Sequence, residues 1–162
     1  MNNNTLILGL GNPILSDDGV GCLVAATLKE RLGGREIDVL EAGIAGLDCL
    51  DLLAGYDRAI IIDAIQTVDG TPGRIYRLGP EALASTRHSG NPHDVNLATA
   101  LELGARLGLP LPGQITIFAI EARDVTSFGE TCTPEVAGAV PACVDMVLKE
   151  LDMLTSVPEK KG

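Results

Sequence analysis

The fold is decided by Leu6-Ile7-Leu8-Gly9-Leu10-Gly11-Asn12-Pro13-Ile14-Leu15-Ser16-Asp17-Asp18-Gly19-Val20-Gly21. This stretch predicts a buried strand, a glycine turn and a loop that ends in two adjacent carboxylates where a helix begins. A strand that ends in Gly-x-Gly favours a dinucleotide site, but Ile14 stands where the third fingerprint residue must be small. Asp17 and Asp18 would also repel a pyrophosphate at the helix N-terminus, so the pair suits a cation better. The alternative is that Ser16 or Asp17 caps the helix.

The composition indicates a single globular domain with an aliphatic core. Of the 162 residues, 46% are hydrophobic, yet only two are Phe, two are Tyr and none is Trp. Such a core is typical of a sheet that helices cover on both faces. The net charge of −10 argues against nucleic-acid and anionic-membrane partners, because both need a positive surface. We expect a monomer.

The cysteines and the first residues indicate a reducing compartment. Met1-Asn2-Asn3-Asn4 carries no positive side chain, and the apolar run that follows is too short for a secretory signal. No apolar run is long enough to span a bilayer. The four cysteines show no Cys-x-x-Cys spacing, which argues against a structural zinc site or a redox pair. We therefore expect a cytoplasmic protein without a membrane partner.

Strand and helix patterns alternate along almost the whole chain. The sequence predicts strands over residues 5–10, 36–40, 58–64, 74–78 and 114–120, and helices over residues 18–31, up to 53, 94–107 and 134–153. Residues 79–93 and 121–133 read as irregular. On the first helix, we expect Val20, Leu23, Val24, Thr27 and Leu28 on the inner face. The alternation predicts an α/β fold, a three-layer α/β/α sandwich with a mostly parallel sheet, in one domain over 1–157 with a frayed tail over 158–162. Residues 74–78 alternate polar and apolar side chains, which predicts a short antiparallel edge strand.

Three polar residues follow the ends of predicted strands or open a helix. Asp18 follows the first strand, Asp63 closes the third after Ile60-Ile61-Ile62, and His93 begins a helix behind Pro92. Ligands of such sheets collect beyond the carboxyl ends of the strands. A buried carboxylate is costly unless it is paired or bound to a cation, although Asp63 could instead accept loop N–H groups or cap a helix. His93 could equally be a surface or capping residue.

Two carboxylates and an imidazole with open positions predict a cation site. This ligand set suits zinc, nickel, manganese or iron better than calcium. His88 is the weaker candidate histidine, because its surroundings, residues 85–90, read as a mobile loop.

The chain resembles the maturation endopeptidases of nickel–iron hydrogenases. The resemblance rests on Gly9-Leu10-Gly11-Asn12, Asp17-Asp18-Gly19-Val20-Gly21, Glu41-Ala42-Gly43-Ile44-Ala45-Gly46, Ile61-Ile62-Asp63-Ala64, Pro92-His93 and Thr131-Cys132-Thr133-Pro134-Glu135-Val136. It implies a five-stranded α/β/α fold and removal of a short C-terminal peptide from the hydrogenase large-subunit precursor after nickel insertion. It also implies that Asp18, Asp63 and His93 contact the metal. The chain departs from the family at Glu41-Ala42, where we expect Asp-Gly. Its first acidic ligand is Asp18, at a position where the family has Glu or Asp.

The implied enzyme is a peptidase of the aspartyl type whose nickel belongs to the client subunit. Asp18, Asp63 and His93 would test for that nickel, and a water activated by the metal or by a carboxylate would cleave the peptide bond. We predict that Glu41, Gly43 and Gly46 form a substrate loop beside Asp18. The alternative is that Gly43 makes a turn and Gly46 starts a helix.

Other functions remain open from the sequence alone. One is a metal-dependent small-molecule hydrolase on the same fold, and another is a non-catalytic nickel-sensing maturation chaperone. A dinucleotide-binding domain is a more distant third. No thiol reads as a nucleophile, and we expect Cys132, near a helix start, to be a packing residue.

Overall fold

The computed structural model describes residues 4–43, 48–85 and 92–156, without the side chains of residues 48, 92–96 and 153–156. In this part of the chain, five strands form one sheet in the order β2-β1-β3-β5-β4. The strands are β1 Thr5–Leu10, β2 Asp38–Ala42, β3 Arg58–Ile65, β4 Ile75–Leu78 and β5 Gln114–Glu121. β1, β2, β3 and β5 pair in parallel, whereas β4 lies antiparallel to β5 at an edge. The predicted sheet, including its antiparallel edge strand, is confirmed.

Helices cover both faces of the sheet. They are α1 Val20–Arg31, α2 Asp48–Leu53, α3 Pro80–Ser85, α4 Pro92–Arg106 and α5 Pro134–Ser156. α1 and α5 pack on one face, while α2, α3 and α4 pack on the other. The predicted three-layer fold is therefore confirmed. Within the described residues, no helix combines the length and the apolar character that a membrane crossing requires.

The central strand β3 shows why the core has two halves. Ile60 and Ile62 lie in the cluster under α1 and α5, whereas Ile61 lies in the cluster under α2 and α4. Successive side chains of a strand point to opposite faces, so a continuous apolar run requires cover on both. The position of β3 between β1 and β5 meets that requirement.

Helix α1 packs unusually close to the sheet, through glycine. A Cβ at Gly21 would lie 2.3 Å from the Ile62 carbonyl oxygen and 2.5 Å from that of Leu10. A Cβ at Gly9 would lie 2.4 Å from the Gly21 carbonyl oxygen. In a dinucleotide fingerprint, the third glycine lets the helix approach the strand closely. Here Gly9 and Gly21 allow that approach, and Ile14 does not take part in it.

Several predicted boundaries were wrong. Residues 80–85 were expected to be irregular but form α3, which has Pro80 at its first position and Glu81 in its first turn. β2 begins at Asp38 and continues to Ala42, so Glu41 belongs to a strand and not to a loop. Residues 16–19 form a 3₁₀ turn, so α1 begins at Val20 and not at residue 18. The expected tail, residues 158–162, lies outside the described residues.

The inner face of α1 also differs from the prediction. Leu23 was expected to face the core but is 45% exposed, whereas Cys22 and Ala25 are buried. The contact of Gly21 with the sheet fixes the rotation of the helix, because only a residue without a side chain fits there. The neighbours of Gly21 on that face are Cys22 and Ala25.

Candidate functional site

The two adjacent carboxylates have different surroundings, and Asp17 is a structural residue. The Asp17 side chain is fully buried and accepts N–H groups from Arg123 at 2.9 Å, Asp124 at 3.0 Å and Thr133 at 2.7 Å. The hydroxyl of Thr133 also donates to it, with oxygen distances of 2.8 and 3.0 Å. Asp17 therefore fastens residues 123–133 to the 3₁₀ turn Ser16–Gly19. The capping alternative was wrong, because neither this turn nor α1 has a side-chain cap.

Asp18 points back toward the end of β1. It is buried, and its Oδ2 accepts the N–H of Asn12 at 2.9 Å. The backbone turn between β1 and Asp18 requires a glycine at position 11. Gly11 has φ +133°, and a Cβ added there would lie 1.9 Å from the Asp18 carbonyl oxygen. Only glycine satisfies both conditions. The Gly-x-Gly motif thus serves here to bring the backbone against Asp18.

Asp63 lies near the carboxyl end of β3. It is buried, its Oδ1 accepts the N–H of Ala64 at 2.8 Å, and it pairs in register with Ala119 of β5. Gly9 pairs with Ile62, so Asp63 is level with the end of β1, where the chain turns toward Asp18. The strand alternation puts Asp63 on the same face as Ile61, the face that α4 covers.

The buried thiol of Cys22 lies against the backbone at the end of β1. Its sulfur contacts the carbonyl oxygens of Gly11 at 3.5 Å and Gly9 at 3.8 Å. Burial first, and then the negative charges of Glu41, Asp63 and Asp18, raise the pKa of Cys22 to about 11. Glu41, Asp63 and Asp18 therefore all act electrostatically on this one buried thiol.

The backbone of His93 belongs to the first turn of α4, while its side chain lies outside the described residues. The chain that leaves α4 runs beside the chain that enters β3. Gly55 N–H donates to Pro110 O, and Gly113 N–H donates to Asp57 O, both at 3.1 Å. The last turn of α4 is therefore at the amino ends of the strands, and its 15 residues, about 22 Å long, return toward the carboxyl ends.

The described side chains alone do not complete a metal site. Among them, no group of three or more His, Cys, Asp and Glu is arranged to hold a metal ion. The three-ligand set of Asp18, Asp63 and His93 stays a prediction, with two members at one edge of the sheet. His88 lies outside the described residues.

The predicted substrate loop begins as a strand. Glu41 is an exposed residue of β2, paired with Gly9 of β1. Among the described residues, no atom lies within 4 Å of a Cβ added at Gly43, and the φ of Gly43 is not positive. A turn at Gly43 would therefore not need positive φ, and the alternative that Gly43 makes a turn stays a prediction. Gly46 lies outside the described residues.

The remaining thiols do not resemble nucleophiles. Cys132 is partly buried, and burial together with the charge of Asp17 raises its pKa. Burial raises the pKa of Cys143 to about 12. Because the thiolate is the reactive form, raised pKa values oppose nucleophilic use. These values agree with the packing role expected of Cys132.

Sequence reasoning missed the residues that shape the rim of the site. Glu121 at the end of β5 is buried and accepts the N–H and hydroxyl of Thr67 at 2.8 and 2.7 Å and the hydroxyl of Tyr76 at 2.9 Å. The contact of Thr133 with Asp17 and the exposure of Phe128, both in the loop after β5, were not predicted either. Only the Thr133-Pro134 pair and a lone aromatic in a polar segment marked them in the sequence.

The chain is similar to known proteins over most of its length. Residues 22–150 match the family model described as hydrogenase maturation protease, a range that contains Asp63 and His93 and begins after Asp18. The chain belongs to the hydrogenase maturation protease family. It is accordingly a peptidase, as the resemblance in the sequence implied.

Members of the hydrogenase maturation protease family are similar along nearly the full length. The Hydrogenase 2 maturation protease of Escherichia coli (strain K12) is 28% identical over 148 residues, which cover 90% of this chain and 89% of the relative. A putative hydrogenase maturation protease of Methanocaldococcus jannaschii is 28% identical over 151 residues, covering 90% and 95%. The solved structure of the hydrogenase maturating endopeptidase HybD from E. coli aligns with a TM-score of 0.80 and 26% identity, over 93% of both chains. The [NiFe] hydrogenase maturation protease HybD from Thermococcus kodakarensis aligns with a TM-score of 0.69 and 28% identity, covering 90% of this chain and 97% of the other.

Proposed function

We propose that this peptidase removes a C-terminal peptide from the nickel-loaded large-subunit precursor of a nickel–iron hydrogenase. The observation that carries the proposal is the pair Asp18 and Asp63, two buried carboxylates at the carboxyl edge of the sheet. Each has one oxygen fixed by a backbone N–H, from Asn12 and Ala64 respectively. Buried, oriented carboxylates at this edge are what a fold of this class offers to a ligand.

The nickel in this reaction belongs to the precursor. Carboxylate oxygens of Asp18 and Asp63 and the imidazole of His93 fit nickel as ligands. The orientation of both carboxylates is set before the precursor binds, so little ordering remains to be done on contact. A precursor that lacks nickel cannot make these contacts. Selection of the loaded precursor follows from that difference in binding.

Cleavage needs a water, a base and a proton for the leaving group. A carboxylate of the Asp18–Asp63 pair accepts the proton of the attacking water while the water oxygen bonds to the scissile carbonyl carbon. The same proton then passes to the amide nitrogen as the carbon–nitrogen bond breaks. The nickel of the precursor supplies polarisation of the carbonyl or the water.

The segment after β2 supplies a path for the client tail. Glu41 is exposed at the end of β2, and no atom of the described residues lies within 4 Å of a Cβ added at Gly43. An extended peptide needs main-chain partners, which a glycine-containing loop offers without a blocking side chain. We assign tail binding to Glu41, Gly43 and Gly46.

We assign the reaction to the cytoplasm and to a monomer without nucleic-acid or membrane partners. All four cysteines are free thiols, which fits a reducing compartment. The strongly acidic charge balance fits a partner of basic or neutral surface.

The test is incubation with purified precursor, in nickel-loaded and nickel-free form, followed by mass spectrometry of the C-terminus. We expect a shortened C-terminus for the loaded precursor alone. Equal cleavage of both forms would contradict metal recognition. Absence of cleavage, together with hydrolysis of small esters or amides by the metal-loaded protein, would favour the small-molecule hydrolase.

A further inference from the structure

Two exposed apolar side chains lie on neighbouring backbone at the rim of the candidate site. Ile14 is 48% exposed and Phe128 is 85% exposed. Gly129 N–H donates to Ile14 O, and Ser16 N–H donates to Gly129 O, both at 2.9 Å. The segments thus pair like short parallel strands, with a bridge between Leu15 and Gly129. We name Ile14 and Phe128 the rim strip.

The backbone that carries Phe128 is fixed. Asp124 Oδ1 accepts the N–H groups of Thr126 at 3.0 Å and Ser127 at 2.9 Å. Hydrogen bonds from Ser127 and Thr126 lower the pKa of Asp124 to about 2, so this acceptor is ionised at neutral pH. Asp17 holds the start and end of the same loop. Phe128 is therefore presented to solvent from a prearranged loop.

The rim strip shares its backbone with the catalytic carboxylate. Ile14 lies four residues before Asp18, in the segment that bends back to Asn12. A client that contacts Asp18 therefore lies close to this rim. Exposed apolar groups that adjoin one another beside a functional site mark interaction surfaces more often than isolated ones do.

Charge restricts what can dock there. Residues 12–19 and 122–135 carry five carboxylates and one cation, Arg123. Arg123 is paired with Glu135 at 2.9 Å, which leaves the surroundings of the rim strip negative. An apolar segment flanked by basic side chains complements such a surface, because the apolar contact gives affinity and the charges give orientation.

We propose that the rim strip is the docking surface for the hydrogenase large-subunit precursor, and that it takes an apolar side chain flanked by Lys or Arg. This inference rests on the proposed function for the identity of the partner. Phe128 is the anchor, since a rigid aromatic loses little freedom on binding and offers a large apolar area. Ile14 extends the contact toward Asp18.

The experiment compares Phe128→Ser and Ile14→Ser with wild type in cleavage of the nickel-loaded precursor. We expect KM to rise about tenfold or more for Phe128→Ser with kcat nearly unchanged, because the residue contacts substrate away from the reacting bond. Phe128→Leu should recover most of the loss. The matched control is Leu107→Ser, which alters a 65% exposed apolar residue beyond the far end of α4. Equal thermal midpoints exclude unfolding as the cause.

The outcomes separate this inference from the proposed function. If wild type cleaves and Phe128→Ser keeps the wild-type KM, the rim strip is not the docking surface although the function stands. If wild type binds the precursor without cleaving it and Phe128→Ser abolishes binding, docking stands and the proposed function fails. A third outcome is that the wild type is a dimer, that Phe128→Ser separates it into monomers and that KM does not change. The rim strip would then bind a second copy of the chain, and the inference would be overturned.

Discussion

Asp17 and Thr133 lie 116 residues apart in the chain, yet Thr133 N–H donates to Asp17 Oδ1 at 2.7 Å and the Thr133 hydroxyl donates to Oδ2 at 2.8 Å. Thr133 precedes Pro134, the first residue of α5, so the contact ties the start of α5 to the 3₁₀ turn Ser16–Gly19. The neighbouring Asp18 bonds instead to Asn12. One acid of the pair therefore holds the loop, and the other faces the candidate site.

Replacement of Asp17 by Asn should destabilise the protein. Every group around the carboxylate is an N–H or O–H donor, so an amide NH₂ would face the N–H groups of Arg123 and Asp124 or of Thr133. We expect the free energy of unfolding to fall by about 3 kcal/mol, since a buried donor is left unsatisfied beside a lost charge-assisted bond. Urea titration followed by circular dichroism measures it. A loss below about 1 kcal/mol would contradict the structural role.

Replacement of Asp18 or Asp63 by Asn should instead stop cleavage and spare the fold. The amide keeps the shape but loses the charge and the metal affinity, so we expect cleavage of the nickel-loaded precursor to fall at least about a hundredfold. The matched control is Asp57→Asn, just before β3 at its opposite end, where Asn4 N–H donates to the carboxylate at 3.1 Å. That bond survives in the amide. Unfolding of Asp63→Asn would reveal a structural carboxylate.

The sequence predicts the sheet well because its signals are strong and local. Ile60-Ile61-Ile62 needs cover on both faces, which only a central strand provides, and β3 is central. The register of β2 was harder. A shift of two residues, from 36–40 to 38–42, leaves every side chain on the same face, so the alternation pattern does not distinguish the two.

The separate roles of Asp17 and Asp18 could not be predicted from the sequence. Both follow the same motif, and only the loop after β5 distinguishes them. Arg123, whose N–H reaches Asp17, is 106 residues away in the chain. Local patterns contain no information about such a contact. The edge of the sheet that carries Asp18 and Asp63 was predictable, because parallel strands place their carboxyl ends together.

Substitution of the thiols should leave catalysis intact. We expect Cys132→Ser to retain wild-type cleavage of the nickel-loaded precursor, because burial and Asp17 raise the pKa of this thiol. Cys22, with a pKa of about 11, should resist iodoacetamide at pH 8, where roughly one thiol in a thousand is ionised. Mass spectrometry after timed alkylation measures the modification. Loss of activity in Cys132→Ser would revive a thiol mechanism.

The ion pair at the amino ends of the strands should give a defined acid dependence. Arg77 Nε and Nη2 donate to Glu150 at 2.9 and 2.8 Å, and these bonds chiefly lower the pKa of Glu150. A carboxyl with a lowered pKa in the folded state stabilises above its ordinary pKa, and that contribution disappears as the pH falls through the folded value.

Glu150→Gln should therefore cost about 1 kcal/mol at pH 7 and little at pH 3, since the Arg77 side chain is 58% exposed and its charge is screened. Urea titrations of both proteins at the two pH values test this. An equal difference between wild type and variant at pH 7 and pH 3 would show that the lowered pKa does not contribute to stability.

Gly11 and Gly43 should respond oppositely to an added side chain. Gly11→Ala places a Cβ 1.9 Å from the Asp18 carbonyl oxygen at φ +133°, so we expect a loss of about 2 kcal/mol or more in unfolding free energy. At Gly43 an added Cβ lies more than 4 Å from every described residue outside its chain neighbours, and φ is not positive, so the thermal midpoint of Gly43→Val should stay near wild type.

Cleavage by Gly43→Val should nevertheless fall, because the valine side chain would occupy the open space that we assign to the client tail. The measurement is kcat and KM for the nickel-loaded precursor beside a thermal scan, with Gly113→Val as the control, at a glycine just before β5 that also lacks positive φ and lies away from the carboxyl edge. A rise in KM at constant midpoint supports tail binding by this segment. Wild-type kinetics in Gly43→Val would remove Gly43 from the substrate path, and activity that falls only with the folded fraction would show a purely structural glycine.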